Sequence, residues 1–286
     1  MRHGILLIDK PTGLTSHDVV HKARKILHEP KIGHIGTLDP AASGLLVLFV
    51  GKKALKVIEL FNDLNKEYET RAQFGAVSTT YDGEGLIEDV PEKKGWSPPT
   101  QTELIKILNA QFVGNIKQIP PLHSAVHVSG KRAYELARKD PNTDLILPER
   151  EVHISAIQLV SYGYPEACIR IACGTGTYIR SIVHDLGQIM RCGAYVKGLR
   201  RLSVGEWRVE DSCKLEDIAW TDVVPLKEIL TDFPRHDLSD DEWKEIQHGR
   251  TIDMSIVEEP MIAWHEKLPV AILEQKEGRV KARKVL

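Results

Sequence analysis

Apolar positions along the chain come in short bursts separated by glycine, proline and charge. Residues 4–9 (GILLID) form one burst, closed by Lys10, Pro11, Thr12 and Gly13, and predict a strand followed by a turn. Thr15 and Ser16 are both good helix N-caps. Asp18 lies three residues after Thr15, and Val19, Val20, Ala23, Ile26 and Leu27 recur at helical spacing. This helix exposes Lys22, Arg24 and Lys25 and ends before Pro30. A Gly-rich loop over residues 31–44 leads into residues 45–50, a continuous apolar run expected at the centre of a sheet.

Further strands are expected at residues 68–75, 154–160, 167–173 and 204–209, and helices at 103–109 and 178–190. Residues 82–85 (DGEG) read as a turn. After the break at Pro120 and Pro121, residues 122–150 combine a hairpin pattern with a basic helical stretch (KRAYELARK), an excursion from the core. Strands and helices mix without a regular alternation, which predicts an α+β fold and not a doubly wound one. The acidic stretch up to Pro234 reads as a linker. Beyond it, Trp243, Ile246, the His248-Gly249 turn and apolar runs at 261–264 and 270–273 predict a small β-rich unit packed on the larger one.

The 286 residues are 42% hydrophobic and 27% charged, the balance of a globular protein with a real core. No apolar run approaches the roughly 18 residues of a membrane span, and charge comes too early for a signal peptide, so the expected location is the cytoplasm. Cys168, Cys173, Cys192 and Cys213 form no metal-binding spacing and read as reduced packing residues. The net charge of −2 argues against a nucleic-acid binder, but it is unevenly spread. Residues 1–60 carry nine basic and five acidic side chains, and residues 275–286 five and one, whereas residues 209–260 carry five and fifteen. Such a chain can offer one basic face to a polyanion; a solvated mixed surface is the alternative.

One carboxylate has an unusual setting. Asp39 sits between Leu38 and Pro40 in a loop rimmed by Gly33, Gly36 and Gly44, at the entrance to a buried strand. Glycine lets backbone approach a ligand and proline stiffens the turn, so Asp39 is a candidate for chemistry; an Asx-type turn explains the same residues. Arg180, in GTGTYIRS, is a candidate ion-pair partner that would hold the carboxylate and its charge. His34, five residues before Asp39, reads more as a hydrogen-bonded loop histidine than as a catalytic one.

Five motifs in order, GILLIDKPTG (4–13), GHIGTLDPAASG (33–44), KEYETRAQFG (66–75), PPLHSAVHVSGKRAYELAR (120–138) and CGTGTYIRSIVHDLG (173–187), resemble the TruB family of tRNA pseudouridine synthases. With LRRL at 199–202 the resemblance covers residues 4–208, and the region from 238 is similar to the family's PUA-like RNA-binding module. It implies a mixed, mainly antiparallel central sheet, a catalytic domain over 1–230 with an RNA-gripping insertion at 122–150, and a C-terminal module over 231–286. It also implies isomerisation of uridine-55 in the tRNA T loop without cofactor or metal, by a monomer needing no protein partner. Asp39 matches the catalytic aspartate, Tyr68 the active-site tyrosine and Arg180 the partner of the aspartate. Tyr178 and Leu199 would pack round the uracil, Lys10 would shape the wall and His34 would contact RNA near the flipped nucleotide. Lys131, Arg132, Arg138, Arg200 and Arg201 would meet phosphates, as would the basic tail at 276–284. His123, His127, Ala41 and Tyr195 depart from the usual family residues. A tRNA-folding protein without catalysis and a base-releasing glycosylase are the competing readings; no second well-placed carboxylate is evident for the latter.

Overall fold

The computed structural model describes residues 3–124, 126–128, 131–132, 147–254, 256, 258–276 and 278–286. β1 (Gly4–Lys10) is followed by helix α1 (Ser16–Leu27), β2 (Ile32–Ile35) and β3 (Ser43–Val50). β1 and β3 pair antiparallel from Gly4 opposite Val50 to Lys10 opposite Gly44. Their alternate side chains enter different cores: Leu6, Ile8, Leu46 and Leu48 on one face, Ile5, Leu7, Leu45, Val47 and Phe49 on the other. A strand buried on both faces has no polar positions to alternate, which is why the run at 45–50 is continuous. α1 starts at a reciprocal capping box between Thr15 and Asp18 and buries Val19, Val20, Ala23 and Leu27; Ile26, expected on the same face, is exposed.

After α2 (Lys52–Val57) come β4 (Lys66–Phe74), the hairpin of β5 (Ala76–Ser78) and β6 (Ile87–Asp89), α3 (Gln101–Phe112) and β7 (Gly114–Gln118). β8 (His127–Val128) pairs with β9 (Lys131–Arg132), so the basic stretch read as a helix begins in a strand. Residues 133–146, which hold the rest of that stretch, lie outside the described residues. β10 (Arg150–Gly163), β11 (Glu166–Cys173), α4 (Ile179–Ile189), β12 (Ala194–Val204), β13 (Trp207–Arg208), β14 (Cys213–Lys214) and β15 (Val224–Pro225) complete the main sheet. Its order is β14-β1-β3-β12-β4-β11-β10-β7, and among the described residues of this sheet only the strand pairs β1 with β14 and β3 with β12 run parallel. The fold is α+β with a mixed, mainly antiparallel sheet.

The sequence pattern missed β12. Its eleven residues, AYVKGLRRLSV, carry three cations that break the alternation, yet it lies between β3 and β4. The strand expected at 204–209 is the turn from β12 into β13, made at Gly205 with φ +56°. The acidic stretch is not a free linker either. Leu215, Ile218 and Val223 are buried in the first core and Leu226 and Leu230 in the second, while β14 and β15 pair with β1. The C-terminal residues form a four-stranded sheet, β16 (Arg235–Asp237), β17 (Met261–His265), β18 (Leu268–Lys276) and β19 (Arg279–Val285), with a core of its own. Ile262, Trp264 and Ile272 instead join the buried cluster that holds Phe49 and Phe61 of the main body. No helix among the described residues is long and apolar enough to cross a membrane.

Candidate active site

The Asp39 loop is held from three sides. Ser16, read as a possible N-cap, instead accepts the Leu38 N–H at 2.9 Å and donates to the Leu38 carbonyl at 3.0 Å, from within the core. Gly13 N donates to the Pro40 carbonyl at 2.8 Å, and Ala42 N to the Asp39 carbonyl at 3.1 Å. Lys10 is fully buried and spends its ammonium on the carbonyls of Pro11 (2.9 Å), Leu14 (2.6 Å) and Pro40 (3.4 Å). Burial lowers its pKa to about 8, against the pull of Asp39. Gly44, at φ +99°, closes the loop against β12, where a Cβ would stand 2.2 Å from the Arg201 carbonyl oxygen.

Arg180 comes from the first turn of α4, whose start is fixed by Gln118. That buried side chain accepts the Tyr178 N–H at 2.8 Å and donates to the Tyr178 carbonyl at 3.0 Å. Arg180 Nη2 lies 3.0 Å from Asp39 Oδ2, and Nη1 lies 3.3 Å from Asp82 Oδ2. The carbonyls of Thr80 and His123, each at 2.9 Å, complete the set of acceptors. The arginine and Asp82 side chains are 6% and 7% exposed, whereas Asp39 keeps 41% of its surface open toward the cavity. Asp82 is further tied by the Thr80 hydroxyl at 2.5 Å and the Glu84 N–H at 3.0 Å.

Burial pushes the Asp39 carboxyl above its ordinary pKa; Arg180 opposes that, and the like charge of Asp82 adds to it. A cavity of about 290 Å³ opens over Asp39 and Arg180, walled by Ala42, Asp82, Val196 and Leu199. A second recess of about 90 Å³ shares Asp39, Arg180 and Leu199 and adds Tyr68 and Tyr178. Tyr68 stands on β4 directly opposite Arg201 on β12. Burial raises its phenol pKa, with the Arg201 guanidinium pulling the other way. The structure therefore brings Asp39, Arg180, Tyr68, Tyr178, Leu199 and Lys10 to one place.

His34 stands edge-on to His17 with ring centroids 5.5 Å apart, its Nε2 3.2 Å from Oγ1 of Thr37, which lines the recess. Burial lowers its pKa to about 4, so it is neutral at pH 7. The expectation that Arg201 meets phosphates is overturned: its side chain is fully buried, and its Nε donates to the Leu45 carbonyl at 2.7 Å. Neighbouring side chains of a strand point to opposite faces, and Arg200 points outward into a bidentate pair with Asp9 (2.9 and 2.8 Å). Lys131 and Arg132 belong to the β8–β9 pair, and Arg138 lies outside the described residues. In the basic tail, Arg283 and Lys284 are both bound by Glu59 at 2.6 Å, and Lys281 lies 3.6 Å from Glu274.

Asp82, Thr80 and Gln118 escaped the sequence reading. An aspartate before glycine looks like any turn, and nothing local marks it as an arginine's second partner. Among the described residues no group of three or more His, Cys, Asp or Glu is arranged to hold a metal ion.

Residues 24–179 match the model of the TruB family pseudouridylate synthase N-terminal domain, and residues 180–230 that of the tRNA pseudouridylate synthase B C-terminal domain. The chain belongs to the TruB family. Two relatives bear the name tRNA pseudouridine synthase B. That of Streptococcus mutans is 36% identical over all of this chain and 99% of its own length. That of Opitutus terrae is 38% identical over 79% of this chain and 90% of its own. Among solved structures, a Cbf5-Nop10-Gar1 complex contains a chain of TM-score 0.70 and 25% identity, aligned over 99% of this chain and 84% of that one. An H/ACA ribonucleoprotein bound to a substrate RNA containing 2′-deoxyuridine contains another with the same TM-score at 21% identity, a likeness of fold. Membership makes this TruB-family chain an isomerase of the pseudouridine synthase kind. The boundary between its two family matches falls between Ile179 and Arg180, inside α4, so the catalytic arginine candidate stands at a join in sequence and not in structure.

Proposed function

We propose that the protein converts uridine-55 in the T loop of tRNA to pseudouridine. The observation that carries this reading is the Asp39–Arg180 ion pair at the floor of the 290 Å³ cavity, near the lower end of the range for small-ligand sites. The names of relatives that align over their whole length support tRNA as substrate. In the isomerisation the bond from N1 of uracil to C1′ of the ribose breaks, the base turns within the site, and a bond from C5 to C1′ forms. The hydrogen on C5 leaves to solvent and N1 gains one, so the reaction is redox-neutral. A carboxylate can attack C1′, add to the ring or take a ribose proton, and each route needs Asp39 ionised. Arg180 supplies the charge that favours that form.

A T-loop uridine is stacked, so it must be flipped out before it reaches Asp39, at a cost of a few kcal/mol. Tyr68, Tyr178 and Leu199, which line the recess beside Asp39, would wall the unstacked base, and Tyr68 would assist at C5. Lys10 would serve by shaping the loop and the neutral His34 by meeting RNA. Residues 1–230 would be the catalytic domain, with Lys131, Arg132 and Arg138 of the 122–150 insertion and Arg200 gripping phosphates, and residues 231–286 an RNA-binding module. The enzyme would work as a cytoplasmic monomer on tRNA alone.

The test is tritium release from a tRNA transcript labelled at C5 of uridine, with the modified position mapped afterwards. The wild type should release tritium from uridine-55, while Asp39→Asn should bind the transcript and release none. Release from other uridines, or undiminished release by Asp39→Asn, would overturn the proposal.

A further inference from the structure

Tyr81 lies between the two residues of its loop that hold Arg180, the Thr80 carbonyl at 2.9 Å and the Asp82 carboxylate at 3.3 Å. Its own backbone is left-handed, φ +64°, a conformation that a bulky side chain keeps only where its surroundings impose it. Two main-chain bonds anchor the residue: Tyr81 N donates to the Ser78 carbonyl at 3.1 Å, and its carbonyl accepts from Val196 N at 2.9 Å. The side chain is held by a face. Its ring lies on the imidazole of His184, with centroids 3.8 Å apart and planes inclined by 12°. His184 is four residues after Arg180 on α4, on the same side of the helix. The helix that carries the guanidinium thus carries the plate that clamps the loop binding it.

Neither ring lines the cavity over Asp39 or the recess beside it. His184 Nδ1 is buried with no hydrogen-bond partner among the described residues, and burial depresses its pKa, so the ring acts as a neutral flat surface. Asp185 is the charged group that bears on the Tyr81 hydroxyl.

We propose that the Tyr81–His184 stack is a positioning pair for the reaction: it presses the 80–82 segment onto Arg180 and so holds Arg180 against Asp39. The inference rests on the reading of Asp39 and Arg180 as the catalytic pair. The stack touches no substrate and acts only through that pair.

The experiment measures tritium release by the full-length enzyme from C5-labelled tRNA transcript under steady-state conditions, across pH, with four variants. Tyr81→Gly removes the ring and tolerates the positive φ, so it adds no backbone strain. His184→Ala removes the plate. Tyr81→Phe and His184→Phe keep a stack of two rings. In Tyr81→Gly and His184→Ala, kcat should fall about 10-fold with KM for tRNA unchanged, and the double variant should be no worse than either single. Asp39 faces Arg180, Asp82 and Lys10; with Arg180 loosened, the acid limb of kcat should move to higher pH. Both Phe variants should keep wild-type kcat and acid limb. Wild-type kcat in Tyr81→Gly, a raised KM with unchanged kcat, or equal losses in the Phe variants with an unmoved acid limb would each overturn the inference alone. A wild-type enzyme that released no tritium would overturn the proposed function, and the inference with it.

Discussion

Arg180 Nη1 lies 3.3 Å from Asp82 Oδ2, and this second ion pair sets the direction of the guanidinium that reaches Asp39. Asp82 is almost wholly buried and accepts from Thr80 and Glu84 as well, so its carboxylate is a fixed post and not a mobile surface charge. Asp82→Asn keeps the shape and removes the charge. We expect kcat to fall about 10-fold or more as Arg180 loses a charge-assisted anchor, with tRNA affinity unchanged. Tritium release by the variant, with tRNA binding measured beside it, checks both parts.

Arg180→Met leaves two carboxylates facing each other in a site from which their cation has been deleted. Removing one partner of a buried ion pair costs about 3–5 kcal/mol, so urea unfolding at pH 7 should show a loss of that order, and turnover should vanish. The sign with pH follows from the same charges. Without Arg180 the Asp39 carboxyl, already raised by burial, loses the charge that opposes that rise, so the native variant takes up a proton there and regains stability as pH falls. A variant whose deficit stayed constant from pH 8 to pH 5 would contradict this account of the network.

The Asp39 loop was legible in sequence because its signals are local: glycines where backbone crowds Arg201, a proline that fixes the turn, and an apolar run behind it. Arg180 was legible only as a candidate, since nothing in GTGTYIRS says which carboxylates it meets. Asp82 and His184 were not legible as parts of the site, because their roles depend on one loop lying across α4. Arg200 and Arg201 show the same limit: two adjacent cations read alike, yet strand geometry sends one to Asp9 and the other into the core.

That difference can be measured. Phosphate contacts give tRNA affinity a log–log salt dependence of roughly 0.7–0.9 per contact. Arg201→Met should leave the slope unchanged, since a fully buried guanidinium releases no counterions. Its cost should appear in stability, because the Leu45 carbonyl loses its donor, worth about 1–3 kcal/mol for a buried group. Salt titration of filter binding, paired with urea unfolding, separates the two. A shallower slope would return Arg201 to the RNA interface.

Asp185, next to His184 on α4, gives a prediction whose sign is opposite to that of a salt-bridged carboxylate. Burial raises its pKa from 3.8 to about 6, with no cation among the described residues offsetting it. Between those two values the folded protein holds a proton that the unfolded chain has released, so stability falls as pH rises through that window. Below about pH 4 both states are protonated and the group contributes nothing; above about pH 6 its full cost is present. Asp185→Asn keeps the shape without the charge. It should therefore unfold at higher urea than the wild type at pH 7 to 8, with the gap narrowing through pH 6 and closing near pH 4. Parallel curves over the whole range would mean that Asp185 is as well solvated in the native state as in the unfolded one.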